Sequence, residues 1–198
     1  MRVTKVTCKT CGVAILESTA AGNEGLCVPC KRGTRKRLED AKKWYREERE
    51  QERSDPFRKL WRELVHRVYE TSGGFNSLSE SERQYFAVGL LEGEVYNGGF
   101  DQYFFNSSGD YCQYAIDGLE QMGASTALKL LRQAITIVFD AQEPIVDTER
   151  RREFLRDRVD DDCSQELGKL DELFWKDQDS LGNRAQEFAR SRGIAGAA

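Results

Sequence analysis

The chain has one histidine, three prolines and no long apolar run among its 198 residues. The missing run excludes a membrane-spanning helix, which needs about 20 consecutive apolar residues. The opening Met-Arg-Val-Thr-Lys-Val-Thr-Cys has no apolar signal core, so no export is expected and the expected location is the cytoplasm. A single histidine, His66, leaves no serine or cysteine with a plausible histidine partner, and no glycine-rich phosphate loop is present. The chain is therefore read as a non-enzymatic protein. From Gln84 to Leu128 there is no lysine or arginine at all.

Charge is unevenly divided. Residues 1–53 hold 13 Lys/Arg against 8 Asp/Glu, whereas residues 54–198 hold 17 against 26, so a front of +5 precedes a back of −9. The front suits nucleic acid, and the back suits basic partners.

Four of the six cysteines stand in two C-x-x-C pairs, Cys8/Cys11 and Cys27/Cys30. Two such hooks at this separation predict one tetrathiolate metal site. Two residues between cysteines turn both thiolates into one tight loop, and Gly12 relieves the backbone behind the first hook. About thirty residues cannot bury a sufficient core, so the metal replaces it. All four positions are filled by protein, which makes the ion structural. The expected cofactor is one structural Zn²⁺. Tetrathiolate iron and a redox disulfide pair are the competing readings of the same spacing. Val13–Leu16 reads as a strand and residues 21–25 as a hairpin tip. Directly after Cys30, Lys31, Arg32, Arg35, Lys36 and Arg37 form a basic run that could contact phosphates, or simply begin a solvated helix.

The expected fold class is mainly α: a zinc ribbon with a short β-hairpin over 1–33, a charged helical connector over 34–53, an all-helical domain over 54–192 and a disordered tail over 193–198. The connector carries i, i+4 pairs such as Lys43/Glu47 and only a thin stripe of Leu38, Ala41 and Tyr45. Ser54-Asp55-Pro56 ends it. Phe57, Leu60, Trp61, Leu64 and Val68 mark one helix face, with His66 opposite. Ser79 caps a further helix that is apolar on most sides and therefore central. Gly89 and Gly93 on it would admit a close neighbour. Asn97-Gly98-Gly99 stops this helix, Pro144 breaks the chain later, and helical patterns recur near 149–159, 163–175 and 179–192. Cys112 and Cys163 read as small buried residues.

The run Glu94-Val-Tyr96-Asn97-Gly98-Gly99-Phe100-Asp-Gln102-Tyr103-Phe104-Phe-Asn106, followed by Gly109, Ala115 and Gly123-Ala124, resembles the signature of the DNA-mimic protein family. The similarity spans about residues 57–192 and leaves the cysteine module outside. It implies an all-helical fold and, for the namesake, an acidic surface that occupies the DNA-binding face of a transcription regulator. In the residues themselves, Tyr96, Phe100, Tyr103 and Phe104 are expected to pack under a glycine turn, with Asn97, Gln102 and Asn106 tying the loop by hydrogen bonds. The alternative is a groove lined by those aromatics.

The acids expected to form a partner-binding surface are Glu92, Glu94, Asp101, Asp110, Asp117, Glu120 and the cluster Asp160, Asp161 and Asp162. Arg150–Arg152, Arg156 and Arg158 lie close to that cluster in sequence and would blunt its field. Glu92 and Glu94, in a mostly apolar helix, are also the acid/base candidates, against the plainer role of structural acceptors. The expected partners are a basic protein, such as a DNA-binding regulator, and, through the N-terminal module, nucleic acid. A homodimer is compatible with the chain.

Overall fold

The structure, a computed structural model, describes residues 4–195. The chain separates after Asp55 into two compact units.

The first unit begins with β1 (Lys5–Thr7) and β2 (Ala14–Leu16), which pair antiparallel with Val6 opposite Ile15. The hairpin tip is therefore the Cys8–Val13 loop, not residues 21–25. Those residues follow α1 (Glu17–Gly22) and turn the chain back with Glu24 and Gly25 in the left-handed region. The helical turn α2 (Val28–Lys31) opens with Cys27 as its cap, and α3 (Arg35–Ser54) is the expected charged helix. None of the residues of α3 is buried.

The second unit is all-helical, with no strand among its described residues. Helix α4 (Pro56–Glu70) buries Phe57, Leu60, Leu64 and Val68. Helix α5 (Glu80–Phe105) starts with a reciprocal cap: Ser79 Oγ accepts from the Glu82 amide, and the Ser79 amide donates to Glu82 at 2.7 Å. Its buried residues point in every direction, so it is the central element around which the others pack. At Gly89 a β-carbon would stand 2.6 Å from the Trp61 ring, so α4 does pack closely there, whereas Gly93 faces open space.

The helical path is interrupted at Gly98 and Gly99 and then resumes, because Gly99 adopts φ of 81°. The remaining helices are α6 (Cys112–Gln121), α7 (Ser125–Phe139), α8 (Thr148–Arg158), α9 (Asp161–Phe174) and α10 (Leu181–Ser191). Ile194 and Ala195 lie against the core. The rest of the expected tail, residues 196–198, lies outside the described residues. No helix among the described residues is long and apolar enough to cross a membrane.

Candidate metal centre and acidic seam

The thiol sulfurs of Cys8, Cys11, Cys27 and Cys30 all lie within 4.8 Å of one another. Zinc–sulfur bonds of about 2.3 Å in a tetrahedron set sulfurs about 3.8 Å apart. The Cys11–Cys27 pair, at 3.7 Å, already has that spacing. Local backbone geometry supplies amides to the sulfurs. The Cys27 amide donates to Cys8 Sγ at 3.2 Å, and the Cys30 amide to Cys27 Sγ at 3.4 Å. Amides from Cys11 and Cys27 hold the Cys8 thiol down at about 6. Burial and the neighbouring sulfurs push Cys30 up to about 12. Four thiolates this close repel one another, and a bound dication is the group that would let all four ionise. The site fits a tetrahedral metal.

Arg35, in the first turn of α3, donates to Cys27 Sγ at 2.8 Å. It is thus committed to the cysteine cluster, not free for phosphate. Lys31 pairs with Glu24, and Arg32 caps α2. The Arg32 cap is made by its backbone amide, so Arg32, Lys36 and Arg37 are the members of the expected basic run whose exposed side chains have no such engagement among the described residues.

In the helical unit the signature proves architectural at most positions. Phe100, Tyr103 and Phe104 are fully buried, while Tyr96 is half-exposed and meets Phe174 edge-on. The loop is tied through one carboxylate rather than through backbone. Glu94 accepts from Gln102 Nε2 at 2.6 Å, Asn106 Nδ2 at 2.9 Å and Ser108 Oγ at 2.8 Å. That occupation leaves Glu94 a structural acceptor. Asn97 is exposed at the break. Asp171 of α9 accepts from the Phe100 amide at 2.9 Å and so anchors the turn from a helix 71 residues away.

The nine expected surface acids do not form one surface. Asp110 is paired with Arg151 at 2.7 Å and also accepts from Thr148. Asp160 caps α9 by accepting from the Cys163 amide at 2.8 Å. Asp117 and Glu120 stand on α6, where Asp117 accepts from Gln113 at 2.8 Å. Asp101, Asp161 and Asp162 are exposed.

The packing creates a different grouping. The field of Asp101 reaches both Asp171 and Cys163, and Cys163 also feels Asp160 and Glu166. Further along the same helix pair, Glu92 faces Asp177, and Tyr96 stands beside both. Burial first, then the Asp177 charge, lifts the Glu92 carboxyl above its ordinary range. Asp101 and Glu92 of α5, Asp171 of α9 and Asp177 in the turn after it thus line one seam, while Glu166 stands about 140° around α9 from Asp171 and lies off it.

Arg158 is the cation facing this seam near Cys163. It is held elsewhere, by Asp140 at 2.7 Å and by the carbonyls of Ile137 and Val138. Arg151, expected to blunt the Asp160–Asp162 cluster, is instead fully buried. It donates to the carbonyls of Phe104, Ile145, Val146 and Asn106. The sequence trace of this was faint: Arg151 sits four residues before buried Leu155, on the inward face of α8.

Asp171 and Asp177 are the seam acids that sequence reasoning missed. Only the meeting of α5 with α9 groups them with Asp101 and Glu92. His66 is exposed beside Glu70, and Cys112 and Cys163 are buried, with burial raising Cys112 to about 12.

A family model described as DMP19-like protein matches residues 76–192, which is more than half of the chain. This is the DNA-mimic family. The match is narrower than the expected 57–192, and the cysteine module lies outside it. No curated protein and no solved structure matches the chain.

Proposed function

This chain belongs to the DMP19-like protein family, and from that membership we propose that its helical unit is a non-enzymatic protein-binding module. It presents carboxylates to the basic surface of a partner, in the first place a nucleic-acid-binding regulator. The seam between α5 and α9 is the observation that carries this reading. Asp101 and Glu92 of α5, Asp171 of α9 and Asp177 just after it bring their carboxylates together from two neighbouring helices. Arginine and lysine side chains shaped for phosphate accept carboxylates by the same charge-assisted hydrogen bonds. The half-exposed Tyr96 and Trp175 between the acids add apolar contact.

The first unit holds one structural zinc ion on Cys8, Cys11, Cys27 and Cys30. All four ligand positions come from protein, so the ion shapes the module and offers no site for a catalytic water.

Affinity capture with the full-length, zinc-loaded protein tests the binding role. Basic nucleic-acid-binding proteins should be retained and then released by competing duplex DNA. Asp101→Asn with Glu92→Gln should lower capture at least about tenfold, since each seam charge removed weakens steering and contact. The melting temperature should not fall. Retention of the same proteins by an unrelated acidic protein of equal charge would end this reading.

A further inference from the structure

Helix α3 carries Lys42, Arg46, Arg49 and Arg53, spaced four, three and four residues apart. That spacing aligns them on one face of the helix over about 17 Å. All four are exposed, and among the described residues none makes an ion pair or hydrogen bond through its side chain. Lys43 pairs with Glu47 at 3.7 Å on another face and Arg35 is taken by Cys27, while Lys36 and Arg37 near the start of the helix are exposed like the row. At helical spacing none of Glu39, Asp40, Glu47, Glu48, Glu50 and Glu52 falls within the arc that the four cations occupy. Among the described residues the four cations carry no ion pair, although Glu39 and Glu50 stand three or four residues from Lys42, Arg46 and Arg53. Leu38 and Tyr45, both more than two-fifths exposed, flank one edge of it.

We propose that this face of α3 binds the phosphate backbone of duplex DNA. Successive cations rise by about 4.5–6 Å, a spacing at which long flexible side chains can follow a line of phosphates. An acidic protein is the poorer match. Protein interfaces place apolar side chains at the centre and charge at the rim, whereas this face has charge at its centre and its apolar residues at the edge. A single strand is also a poorer match, because stacking needs aromatic platforms along the track. Here a single aromatic, Tyr45, flanks the row, and Trp44 lies on the opposite side of the helix. The surface lies outside the residue 31–37 run and outside the family match. It does not depend on the acidic seam.

Fluorescence anisotropy of a labelled duplex of about 20 base pairs with the full-length, zinc-loaded protein tests the proposal. Four phosphate contacts give a slope of about −3.6 in log K against log salt, or a loss of about 100-fold between about 50 and 200 mM. Replacing Lys42, Arg46, Arg49 and Arg53 together by Gln should flatten the slope toward zero with circular dichroism unchanged. The charge-matched set Lys43, Lys129, Lys169 and Lys176→Gln should leave the slope intact. Three results would overturn the proposal: no salt-dependent binding at about 25 mM salt, equal loss in the charge-matched set, or polyglutamate binding as tightly as the duplex. The last would assign the face to an acidic protein.

Discussion

Single residues decide the geometry of the signature turn. Gly99 holds φ of 81°, and a β-carbon there would run into the Asp171 carboxylate that anchors Phe100. Gly99→Ala is expected to cost roughly 2–4 kcal/mol from backbone strain and the clash together. Urea unfolding of the variant measures it. Glu92 behaves in the opposite sense. Its carboxyl is raised by burial and by Asp177, so the folded state holds the proton more tightly than the unfolded chain. Its contribution is fully favourable below the unfolded pKa and is lost as pH rises through the folded one. Glu92→Gln should therefore stabilise the protein at neutral pH, with the two melting curves converging in acid. A variant less stable than the parent at pH 7 would mean that the charge is needed.

At the scale of elements, two arginines tie α8 to the end of α5: Arg152 donates to the Phe105 carbonyl at 2.9 Å, and Arg151 is fully buried. Arg151 satisfies carbonyls at the end of α5 and in the segment before α8, and its charge is balanced by Asp110. Gly109 makes room for it, since a β-carbon there would lie 2.9 Å from the guanidinium. Truncation to Arg151→Ala leaves several carbonyls and one carboxylate unpaired and is expected to cost about 3–5 kcal/mol. Arg151→Lys keeps the charge but cannot span the same acceptors, so it should recover only part of that loss. Equilibrium denaturation distinguishes the three proteins, and hydrogen exchange should place the loosening in residues 104–111 and 145–158.

Across the whole molecule, two different physical sources of order are joined in one chain. Unit 2 rests on a contiguous apolar core from Phe57 to Ala189. Among its described apolar residues unit 1 buries only Cys8 and Cys27, so a metal bound at the four cysteines would replace the core. Zinc binding in comparable peptides supplies about 10–16 kcal/mol. A strong chelator should abolish the ordered structure of residues 4–34, read by amide dispersion in NMR. The melting transition of the helical unit should remain. Metal analysis of protein purified without chelator should give one zinc per chain, and a chain with no metal and unchanged spectra would refute the site.

Local patterns carried much of this architecture. The two C-x-x-C hooks, the Ser79 cap, the glycine break and the helix periods from Pro56 onward are set by nearest-neighbour chemistry, so they could be read from residues within a turn or two of each other. The hairpin tip was misplaced because either loop could have closed the metal site, and strand pairing chose the one containing the first hook. The pairing of Arg151 with Asp110, the anchoring of Phe100 by Asp171 and the meeting of Asp101 and Glu92 with Asp171 and Asp177 join residues far apart in sequence. Charge and burial at those positions depend on which helices meet, and no local spacing encodes that meeting. The same amino acids therefore determined by themselves where the helices and ligands lie, while helix packing decided which carboxylates are spent inside the fold and which remain to meet a partner.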